Sequence, residues 1–304
     1  MTRYVGILGP FVCYSVPVTV AGDPCQLGAV MQSETDRDDF MYETPTWRQT
    51  VCGPWGTVHF LTGAHRHADD LQLLHVLRRI RVGEQTDEDI HLLNATSADV
   101  TDEVWDKHTQ LRATNIAVNA VNDERFARLP GPSVEFAAVD EVLVTHPARQ
   151  QYAMDKLSGM VASKMMFKVG AVVISTRICE SVPAGSQGKV TGVEAGMYVV
   201  CKFEDQVVRV RPSSFDVVDN CGEKLATRTQ IPLVLGWAVT MHRCQGLTLD
   251  TLAIDFSTQN WKKEGLVYSG LTRCRTLRSL LVRGLRHELI VVSARALRFY
   301  HSFL

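Results

Sequence analysis

The chain has 304 residues, of which 45% are hydrophobic and 21% are charged, and its formal net charge is -1. This length accommodates one large or two medium domains with a substantial buried core. The composition is that of an ordinary globular protein, and the near-zero net charge excludes a general electrostatic attraction to nucleic acid or membranes. Any nucleic-acid site is therefore expected to be a local basic groove.

The 8 cysteines include no C-x-x-C pair and have no histidine partners at metal-ligand spacing, so no metal site is predicted from them. They are expected to be reduced thiols of an intracellular protein, in the nucleus or mitochondrion of a eukaryote and otherwise in the cytoplasm. No apolar run reaches the roughly 18 residues needed to cross a bilayer, and the first residues lack the features of a secretory signal. No membrane partner is expected, and a monomer is predicted.

An apolar segment at residues 11–21 predicts a buried strand, interrupted by Pro17. The sequence Gly22-Asp23-Pro24-Cys25-Gln26-Leu27 follows it directly. Loops at the carboxyl edge of a parallel sheet are where α/β proteins place ligands. Taken alone, the Gly-Asp pair fits an ordinary Asp-Pro turn equally well.

The next elements are a strand at residues 57–61 and a helix that starts near Arg66. Its apolar residues fall at 71, 74, 77 and 80, and Gly83 is expected to end it. A short helix is predicted at residues 86–94.

Residues 109–115 predict a strand followed by a turn. Asn115 is then expected to cap a helix that runs to about Leu129, where Pro130-Gly131-Pro132 closes it.

Between residues 145 and 225 the pattern changes to short alternating segments with glycine-rich or acidic turns, which is typical of a small antiparallel barrel. Ordinary solvent-exposed strand faces explain any single basic residue there as well as a groove does. The basic residues that could line a groove are Lys164, Lys168, Arg177, Lys189, Lys202, Arg209 and Arg211.

Two segments imitate nucleotide-binding motifs without matching them. In Gly185-Ser186-Gln187-Gly188-Lys189, Pro183 stands where a phosphate loop requires its first glycine and Val190 where it requires a hydroxyl, so a β-turn is predicted. Residues 136–141 end in an acidic pair, but they follow the Gly-Asp motif of residues 22–23. A strand entering the barrel is predicted there.

The densest polar segment is 237–250, in which an apolar lead-in ends in His242-Arg243-Cys244-Gln245-Gly246. It predicts a helix or tight turn feeding a buried strand at 252–256, with Gly246 allowing a sharp turn or a close approach to a ligand. Further on, Tyr268-Ser269-Gly270-Leu271-Thr272-Arg273 leads into a second apolar strand at 280–282.

In this order and spacing, these motifs resemble those of the Pif/RecD-like family of superfamily-one ATP-dependent DNA helicases. The family signatures are G-D-x-x-Q-L-P-P-V, T-x-H-K-S-Q-G-x-T-x-D and Y-V-A-L-S-R-x-R. The resemblance covers nearly the whole chain and implies an α/β fold: a RecA-like parallel sheet, an inserted small antiparallel β-barrel and a remnant of a first RecA-like domain. The implied domains are 1–45 for that remnant, 46–144 and 226–304 for the second RecA-like domain, and 145–225 for the barrel.

The resemblance also implies ATP-driven movement along single-stranded DNA in the five-prime to three-prime direction, with duplex unwinding, in repair or recombination. Arg273 would neutralise charge on the γ-phosphate, Arg66 would assist, and Gln26 would sense the phosphate. The other nucleotide-proximal residues would be Gly22, Asp23, Gln245, Gly246 and Tyr268. The nucleic-acid contacts would be Thr240, His242, Arg243, Thr248 and Lys189.

Some residues depart from the signatures. Cys244 replaces a serine and so removes a hydroxyl donor from the motif. The other departures are Gly28-Ala29 for Pro-Pro, His67 for the Gln after the family arginine, Arg243 for Lys, Thr272 for Ser, and Leu266 where Gln is common. A nucleotide- or DNA-proximal family segment, T-x-x-x-V-x-x-x-N, is matched loosely by Asn115, Val118 and Asn122.

ATP hydrolysis in this class needs a glycine-rich loop that holds the phosphates and an acidic pair for Mg²⁺, and neither occurs in these 304 residues. Because both precede the Gly-Asp motif in the family, the chain is expected to be the carboxyl-terminal two thirds of a helicase. ATP and Mg²⁺ would bind the complete protein, the chain alone would be inactive as an ATPase, and residues 1–35 would be poorly ordered. The alternatives are a non-catalytic single-stranded nucleic-acid-binding module that kept the fold, and an incomplete gene product.

Overall fold

The computed structural model describes residues 21–28, 40–45, 47, 65–204, 206–219, 221–258 and 260–302. The strand expected at 57–61, the strand expected at 11–21 apart from its last residue, and most of the segment 1–35 lie outside these residues. The description below concerns the rest of the chain.

The helices are short to medium in length, and the two longest have 14 residues each. They are α1 (Leu71–Val82), α2 (Asp87–Ala95), α3 (Asp102–Trp105), α4 (Asn115–Arg128), α5 (Pro147–Met160), α6 (Met241–Cys244), α7 (Leu266–Leu271) and α8 (Ala294–His301).

The strands fall into one early strand, a long antiparallel series and a carboxyl-terminal group. They are β1 (Thr109–Arg112), β2 (Val134–Ala137), β3 (Val139–Val142), β4 (Lys164–Phe167), β5 (Val172–Ser175), β6 (Gln187–Glu194), β7 (Tyr198–Phe203), β8 (Gln206–Val210), β9 (Ser213–Val218), β10 (Lys224–Gln230), β11 (Leu233–Leu235), β12 (Ala238–Thr240), β13 (Leu252–Asp255) and β14 (Leu280–Arg283).

The chain divides into two compact units, each built from separate stretches of sequence. The first unit comprises Met1–Leu93, Asn260–Thr272 and Leu285–Leu304, and the second comprises Asn94–Gln259 and Arg273–Gly284. Residues distant in sequence therefore meet within each unit.

In the first unit, α1 begins where the Asp70 carboxylate accepts a 2.9 Å hydrogen bond from the Leu73 N–H. It ends at Gly83, whose φ of 81° lies in the left-handed region, as the sequence predicted. The predicted apolar stripe is wrong in part, because Leu71 is 61% exposed. The buried side of α1 is formed by Leu73, Val76, Leu77 and Ile80.

The second unit contains a parallel sheet with strand order β12-β1-β13-β14. Leu111 of β1 lies beside Val239 of β12 on one side and Ile254 of β13 on the other, and Ile254 lies beside Val282 of β14. These apolar residues are buried, as is usual for parallel strands covered on both faces. The strands predicted at 252–256 and 280–282 are confirmed.

Helix α4 packs beside β12, which lies at one end of this sheet among the strands that the structure describes. The amide of Asn122 accepts a hydrogen bond from Ala238 N–H at 2.9 Å and donates one to Ala238 C=O at 3.1 Å. Asn122 is 6% exposed, so it supports the fold. The predicted cap is displaced by one residue, because Thr114 Oγ1, rather than Asn115, accepts from the Ala117 N–H.

The antiparallel strands of the second unit form three sheets, with orders β2-β4, β3-β10-β9 and β11-β5-β6-β7-β8. All four residues of β3 are exposed, whereas alternating burial along strands such as β7 and β8 packs one face into apolar clusters that include Phe167, Val199 and Phe203. These strands run from Val134 to Leu235, a longer stretch than residues 145–225. The predicted α/β class, with a parallel sheet and a separate antiparallel region, is confirmed, and the domain limits stay a prediction.

Candidate functional site

The loop at residues 22–27 is shaped by the side chain of Asp23. Its Oδ1 accepts from the Cys25 N–H at 3.1 Å, and its backbone carbonyl accepts from the Gln26 N–H at 3.1 Å. A short aspartate side chain that bonds the backbone two residues later is a common way to close a tight turn. These hydrogen bonds fit both sequence interpretations of residues 22–27, the ordinary Asp-Pro turn and the Gly-Asp motif.

The same carboxylate joins the loop to two helices of the first unit. Arg81, near the end of α1, donates to Asp23 Oδ1 from Nη2 at 2.9 Å and from Nε at 3.2 Å. Tyr268 of α7 donates its hydroxyl hydrogen to Oδ2 at 3.0 Å. The Arg81 and Asp23 side chains are about one-fifth exposed, at 21% and 20%, so solvent screens this ion pair less than one on the open surface.

Arg81 also contacts an aromatic ring. Its guanidinium carbon lies 4.5 Å from the centre of the Tyr300 ring of α8, a distance at which a cation is attracted to the face of an aromatic ring. Asp23, Arg81 and two tyrosines therefore form one network within the first unit.

The start of α7 holds the loop from another direction. The Leu27 N–H donates to Ser269 Oγ at 2.7 Å. Gly265, just before α7, has a φ of 68°, and a Cβ there would lie 2.7 Å from the Cys25 carbonyl oxygen. Only glycine accommodates both the left-handed backbone and this close approach.

Burial determines the protonation of the groups beside Asp23. It raises the pKa of the Cys25 thiol to about 11, although the charge of Arg81 opposes the shift. Burial, followed by the negative charge of Asp23, also raises the pKa of Tyr268. Tyr268 is therefore a neutral phenol that donates to the carboxylate over the physiological range.

Arg66 is placed by the carboxyl end of α7. Its Nη1 donates to the Thr272 carbonyl oxygen at 3.1 Å, which satisfies one of the backbone acceptors that a helix end leaves open. Gln26 is half-buried, and its Nε2 lies 3.5 Å from Asp23 Oδ2. The structure thus brings Asp23, Gln26 and Tyr268 together, with exposed Gly22 on the same loop.

The remaining predicted residues lie in the second unit, mostly where β12 ends and α6 begins. Thr240 is buried, whereas His242 and Arg243 are exposed on α6. Gly246 has a φ of 88° and open space around it, so its backbone is accessible. Half-buried Gln245 and Thr248 flank it.

Arg273 is hydrogen-bonded to residues that follow Gly246 in the chain. It is 1% exposed, its Nη1 lies 3.4 Å from the Leu247 carbonyl oxygen, and its own carbonyl accepts from the Leu249 N–H at 2.8 Å. The structure therefore joins Arg273 to the Gln245-Gly246 turn. Lys189 lies on β6, opposite Lys202 of β7.

Cys244 occupies a buried position in this segment. Its thiol donates to the Met241 carbonyl oxygen at 3.4 Å, which is a contact that a serine hydroxyl also makes. Burial raises the pKa of Cys244 to about 12, against the opposing charge of Arg273. The cysteine therefore keeps a donor, although a weaker one.

Three residues of the site were not assigned a role from the sequence: Arg81, Gly265 and Ser269. Arg81 is 58 positions from its partner Asp23, and Ser269 is 242 positions from its partner Leu27. No local sequence pattern therefore predicts these contacts. Gly265, which precedes the motif that begins at Tyr268, offers a weak signal, because a glycine before a helix often has a positive φ.

The described residues contain no group of three or more His, Cys, Asp or Glu side chains able to hold a metal ion. Their six cysteines, at positions 25, 179, 201, 221, 244 and 274, are all free thiols. In the same part of the chain, no helix has the length and apolar character of a membrane span.

Known proteins similar to this chain include DNA helicases, and no protein-family model matches it. The ATP-dependent DNA helicase Pif1 of Bdellovibrio bacteriovorus is 30% identical over 291 residues, which cover 94% of this chain and 62% of that protein. Human ATP-dependent DNA helicase PIF1 is 28% identical over 295 residues, covering 94% of this chain and 43% of that protein. The chain spans about half the length of the curated relatives that it matches.

Solved structures share its fold. The crystal structure of Pif1 helicase from Candida albicans has a TM-score of 0.73 and 22% identity, covering 93% of this chain and 68% of that one. That of Bacteroides Pif1 in complex with ADP-AlF3 and single-stranded DNA has a TM-score of 0.59 and 20% identity, covering 82% and 57%. The predicted RecA-like fold is confirmed.

The Asp23 network predicts a measurable coupling between Asp23 and Tyr268. Each of Asp23→Ala and Tyr268→Phe removes their shared hydrogen bond, so the double variant should lose less stability than the sum of the single losses, by about 1 kcal/mol. Urea unfolding of the full chain measures the free energies. The pair Asp69→Ala and Tyr268→Phe is the control, because Asp69 is exposed. Strict additivity for Asp23 and Tyr268 would contradict the network.

Cys244 predicts a pH dependence. Its pKa is 9.0 in the unfolded reference and about 12 when folded, so the thiol's contribution to stability is complete below pH 9.0 and is lost as pH rises toward 12. Cys244→Ser should remove this dependence, which amounts to about 1.4 kcal/mol per pH unit within the window. Unfolding free energies measured across that window test it. The control Cys221→Ser, at an exposed position, should change stability with pH as the parent does. If Cys244→Ser also shows the parent's change of unfolding free energy with pH, the dependence does not come from Cys244.

Proposed function

Because the chain belongs to the Pif1-like family of DNA helicases, we propose that it supplies the second motor domain of an ATP-dependent helicase and part of its nucleotide site. The proposed activity is movement along single-stranded DNA in the five-prime to three-prime direction, with unwinding of the duplex ahead. The proposed domain division is 1–45, 46–144 with 226–304, and 145–225. We propose that the protein acts as a monomer where DNA is held, in a nucleus or mitochondrion or otherwise in the cytoplasm.

The main support for this proposal is the hydrogen bond from the Tyr268 hydroxyl of α7 to Asp23, which holds the loop of residues 22–27 against α7. A residue that senses a phosphate must keep one position when the nucleotide is absent, because ordering it on binding would cost free energy. Gln26 sits on a loop that is held at Asp23 by Arg81 and Tyr268, and at Leu27 by Ser269. This support suits a sensor role for Gln26.

The arginines would supply positive charge to phosphoryl transfer. ATP with Mg²⁺, when bound, supplies the phosphoryl group that is transferred to water. Arg273 is held by the Leu247 carbonyl and Arg66 by the Thr272 carbonyl, so each guanidinium is anchored by a backbone acceptor. Anchored charges need little reorganisation when negative charge develops on the phosphate.

The residues present fit only part of a nucleotide site. The Asp23 carboxylate is engaged by Arg81 and Tyr268, so it is not set to ligate Mg²⁺, and the sequence lacks a phosphate loop. The accessible backbone at Gly246 and the adjacent Gln245 suit contact with a nucleotide. The phosphate cradle of the proposed helicase must come from outside these 304 residues.

Exposed His242 and Arg243 are the proposed contacts to the DNA backbone. They project from α6, immediately after β12, and phosphate oxygens accept readily from such side chains. Half-buried Thr248 offers a further hydroxyl, and Lys189 a further charge. Thr240 is 5% exposed, so its proposed contact would use backbone groups or follow a local rearrangement.

The first test of the proposal is ATP hydrolysis. The purified chain should hydrolyse no ATP, with or without single-stranded DNA, because it has no loop to hold the phosphates. In a longer protein that joins it to a phosphate-loop domain, Arg273→Lys should lower turnover by about 10³ while DNA affinity stays nearly unchanged. Exposed Arg275→Lys is the matched control. Turnover by the chain alone that disappears in Arg273→Lys would refute the first expectation, and would also exclude a non-catalytic binding module.

The second test is binding of single-stranded DNA. The chain should bind a labelled oligothymidylate weakly, with a shallow salt dependence of about -0.7 in log affinity against log salt for each phosphate contacted. His242→Ala with Arg243→Gln should weaken binding further. Fluorescence anisotropy over a salt series gives both quantities. Tight binding that salt does not change would contradict the proposed phosphate contacts.

A further inference from the structure

A polar cavity of about 270 Å³ lies on one face of the parallel sheet in the second unit. Asp255 of β13 is in register with Arg283 of β14, and Arg112 of β1 comes one position after the Leu111–Ile254 pair, beside Asp255. These three charged residues therefore form a row on the same face of the sheet. Residues of α3 and α4 line the sides of the cavity. Among the residues that the structure describes, none of the proposed nucleotide or DNA contacts lines it.

The cavity has its positive charges inside and its negative charges at the rim. Three of its arginines form ion pairs: Arg125 with Asp106, Arg283 with Asp102, and Arg128 with Glu124. In the first two pairs the arginine side chains are 10% and 33% exposed, whereas their carboxylate partners are 44% and 94% exposed. Solvent screens the exposed carboxylates more strongly than the enclosed guanidinium groups. The interior of the cavity therefore attracts an anion, although basic and acidic residues line it in equal number.

The fourth arginine, Arg112, has no ion-pair partner within the described part of the chain. Its Nη2 donates to Gln110 Oε1, and its Nε is buried without a hydrogen-bond acceptor. The neighbouring Asp255 uses its Oδ1 to accept from the Ser257 N–H at 2.9 Å and from the Ser257 hydroxyl at 2.6 Å. Burial lowers the pKa of Arg112, because an enclosed charge loses hydration that its neighbours do not replace in full. An anion in the cavity would supply the missing partner.

The other two enclosed arginines are held in place by the fold. Arg283 donates from Nη2 to the Val100 carbonyl oxygen at 3.1 Å, and its guanidinium carbon lies 4.1 Å from the centre of the Trp105 ring. Trp105 is buried in a small apolar cluster over β13 and β14. Arg125 of α4 donates to both the backbone carbonyl and the carboxylate of Asp106. Because these guanidinium groups are already ordered, an anion that binds them loses little free energy to side-chain ordering.

The size and lining of the cavity define the ligand. Its volume is just below the range of about 300–1,000 Å³ that is usual for small-molecule pockets, which favours a compact ligand. Of the residues that line it, only Val121 and Trp105 are apolar, so a nucleobase or another large apolar group finds little surface there. Guanidinium groups pair with the oxygens of phosphate through parallel hydrogen bonds. These features together fit a phosphate group on a small molecule.

We propose that this cavity is a binding site for a compact phosphate-bearing small molecule, whose phosphate oxygens pair with Arg112, Arg125 and Arg283. Asp255, in the middle of the row, limits the affinity because its carboxylate repels the same oxygens. The site is independent of the proposed function, since it uses none of the residues proposed to contact the nucleotide or DNA.

The experiment is isothermal titration of the full chain with inorganic pyrophosphate, and separately with glycerol phosphate, at an ionic strength held constant with sodium chloride. We expect saturable binding at one site. Arg112→Gln should weaken it at least about tenfold, through loss of a charged hydrogen-bonding partner. Whichever probe binds more tightly to the parent and is also weakened by Arg112→Gln distinguishes a free phosphate from a phosphate ester.

A second variant tests the site without removing an arginine. Asp255→Asn keeps the oxygen that accepts from Ser257 and removes the negative charge, so it should tighten pyrophosphate binding by at least about threefold. Pyrophosphate should also change the fluorescence of Trp105, which lines the cavity, and this change should be absent in Trp105→Phe. Unchanged or weaker binding by a folded Asp255→Asn variant would contradict the proposed position of the anion.

The matched control is Arg149→Gln, which removes an arginine that pairs with Asp219 and Glu223 outside the cavity. It should keep the parent affinity. If the parent binds neither probe at millimolar concentration, or if Arg112→Gln binds as the parent does, the inference is wrong. Loss of binding in Arg273→Lys instead of Arg112→Gln would assign the anion to the proposed nucleotide site and would likewise overturn the inference.

Single-stranded DNA is the competing occupant. Oligothymidylate should not displace pyrophosphate at an equal concentration of phosphate groups, because the cavity is too small and too polar for a nucleotide chain with its bases. Displacement from the parent that Arg149→Gln retains and Arg112→Gln abolishes would assign the cavity to the path of the nucleic acid. That result would overturn the small-molecule assignment and leave the proposed function standing.

Discussion

The position of the residue 22–27 loop depends on one carboxylate. Asp23 accepts hydrogen bonds from a helix-end arginine, from a half-buried phenol and from the backbone of its own loop. The phenol stays neutral because burial and the adjacent negative charge both oppose its ionisation. A charged hydrogen bond of this kind stabilises more than a neutral one, and loss of the carboxylate would leave Arg81 half-enclosed without its anion. Three segments remote in sequence are thereby kept in register within the first unit.

Sequence reasoning located the elements that local chemistry determines. Gly83 ends α1 because only a residue tolerant of a left-handed backbone closes a helix that way, and the apolar run at Leu252–Asp255 is a buried parallel strand. The sequence predicted less well which of two adjacent, chemically similar residues takes a given role. Thr114 caps α4 although Asn115 has an equally suitable side chain, because the extended backbone at Thr114 places its hydroxyl over the Ala117 amide. The exposed position of Leu71 likewise depends on which side of α1 meets the rest of the first unit.

The candidate site was predictable as a set of motifs, and its supporting contacts were not. Asp23, Gln26 and Tyr268 were named from the resemblance of their motifs to the helicase signatures, and the structure brings them together. Arg81 had no such signal, since an arginine near the end of an amphipathic helix is usually a solvated charge that favours the helix dipole. The contacts of Arg81 with Asp23 and of Ser269 with Leu27 join residues 58 and 242 positions apart, so they are determined by the tertiary fold. Cys244 shows the converse: its substitution for serine looked disruptive in the sequence, and in the structure the thiol retains the donor contact to Met241.

The Asn122 amide has a consequence for how this protein behaves among its own copies. Ala238 is in β12, the strand at one end of the parallel sheet as described, and the outward peptide groups of such a strand are a template on which another chain adds a strand. Asn122 offers one acceptor and one donor to that residue, the same pair that a neighbouring peptide would present, and so closes the edge at that point. Deamidation to aspartate would replace the donor with a second acceptor facing the Ala238 carbonyl. The Ala238 carbonyl would then face a repelling oxygen, and the closure of the edge would be weakened at this one residue.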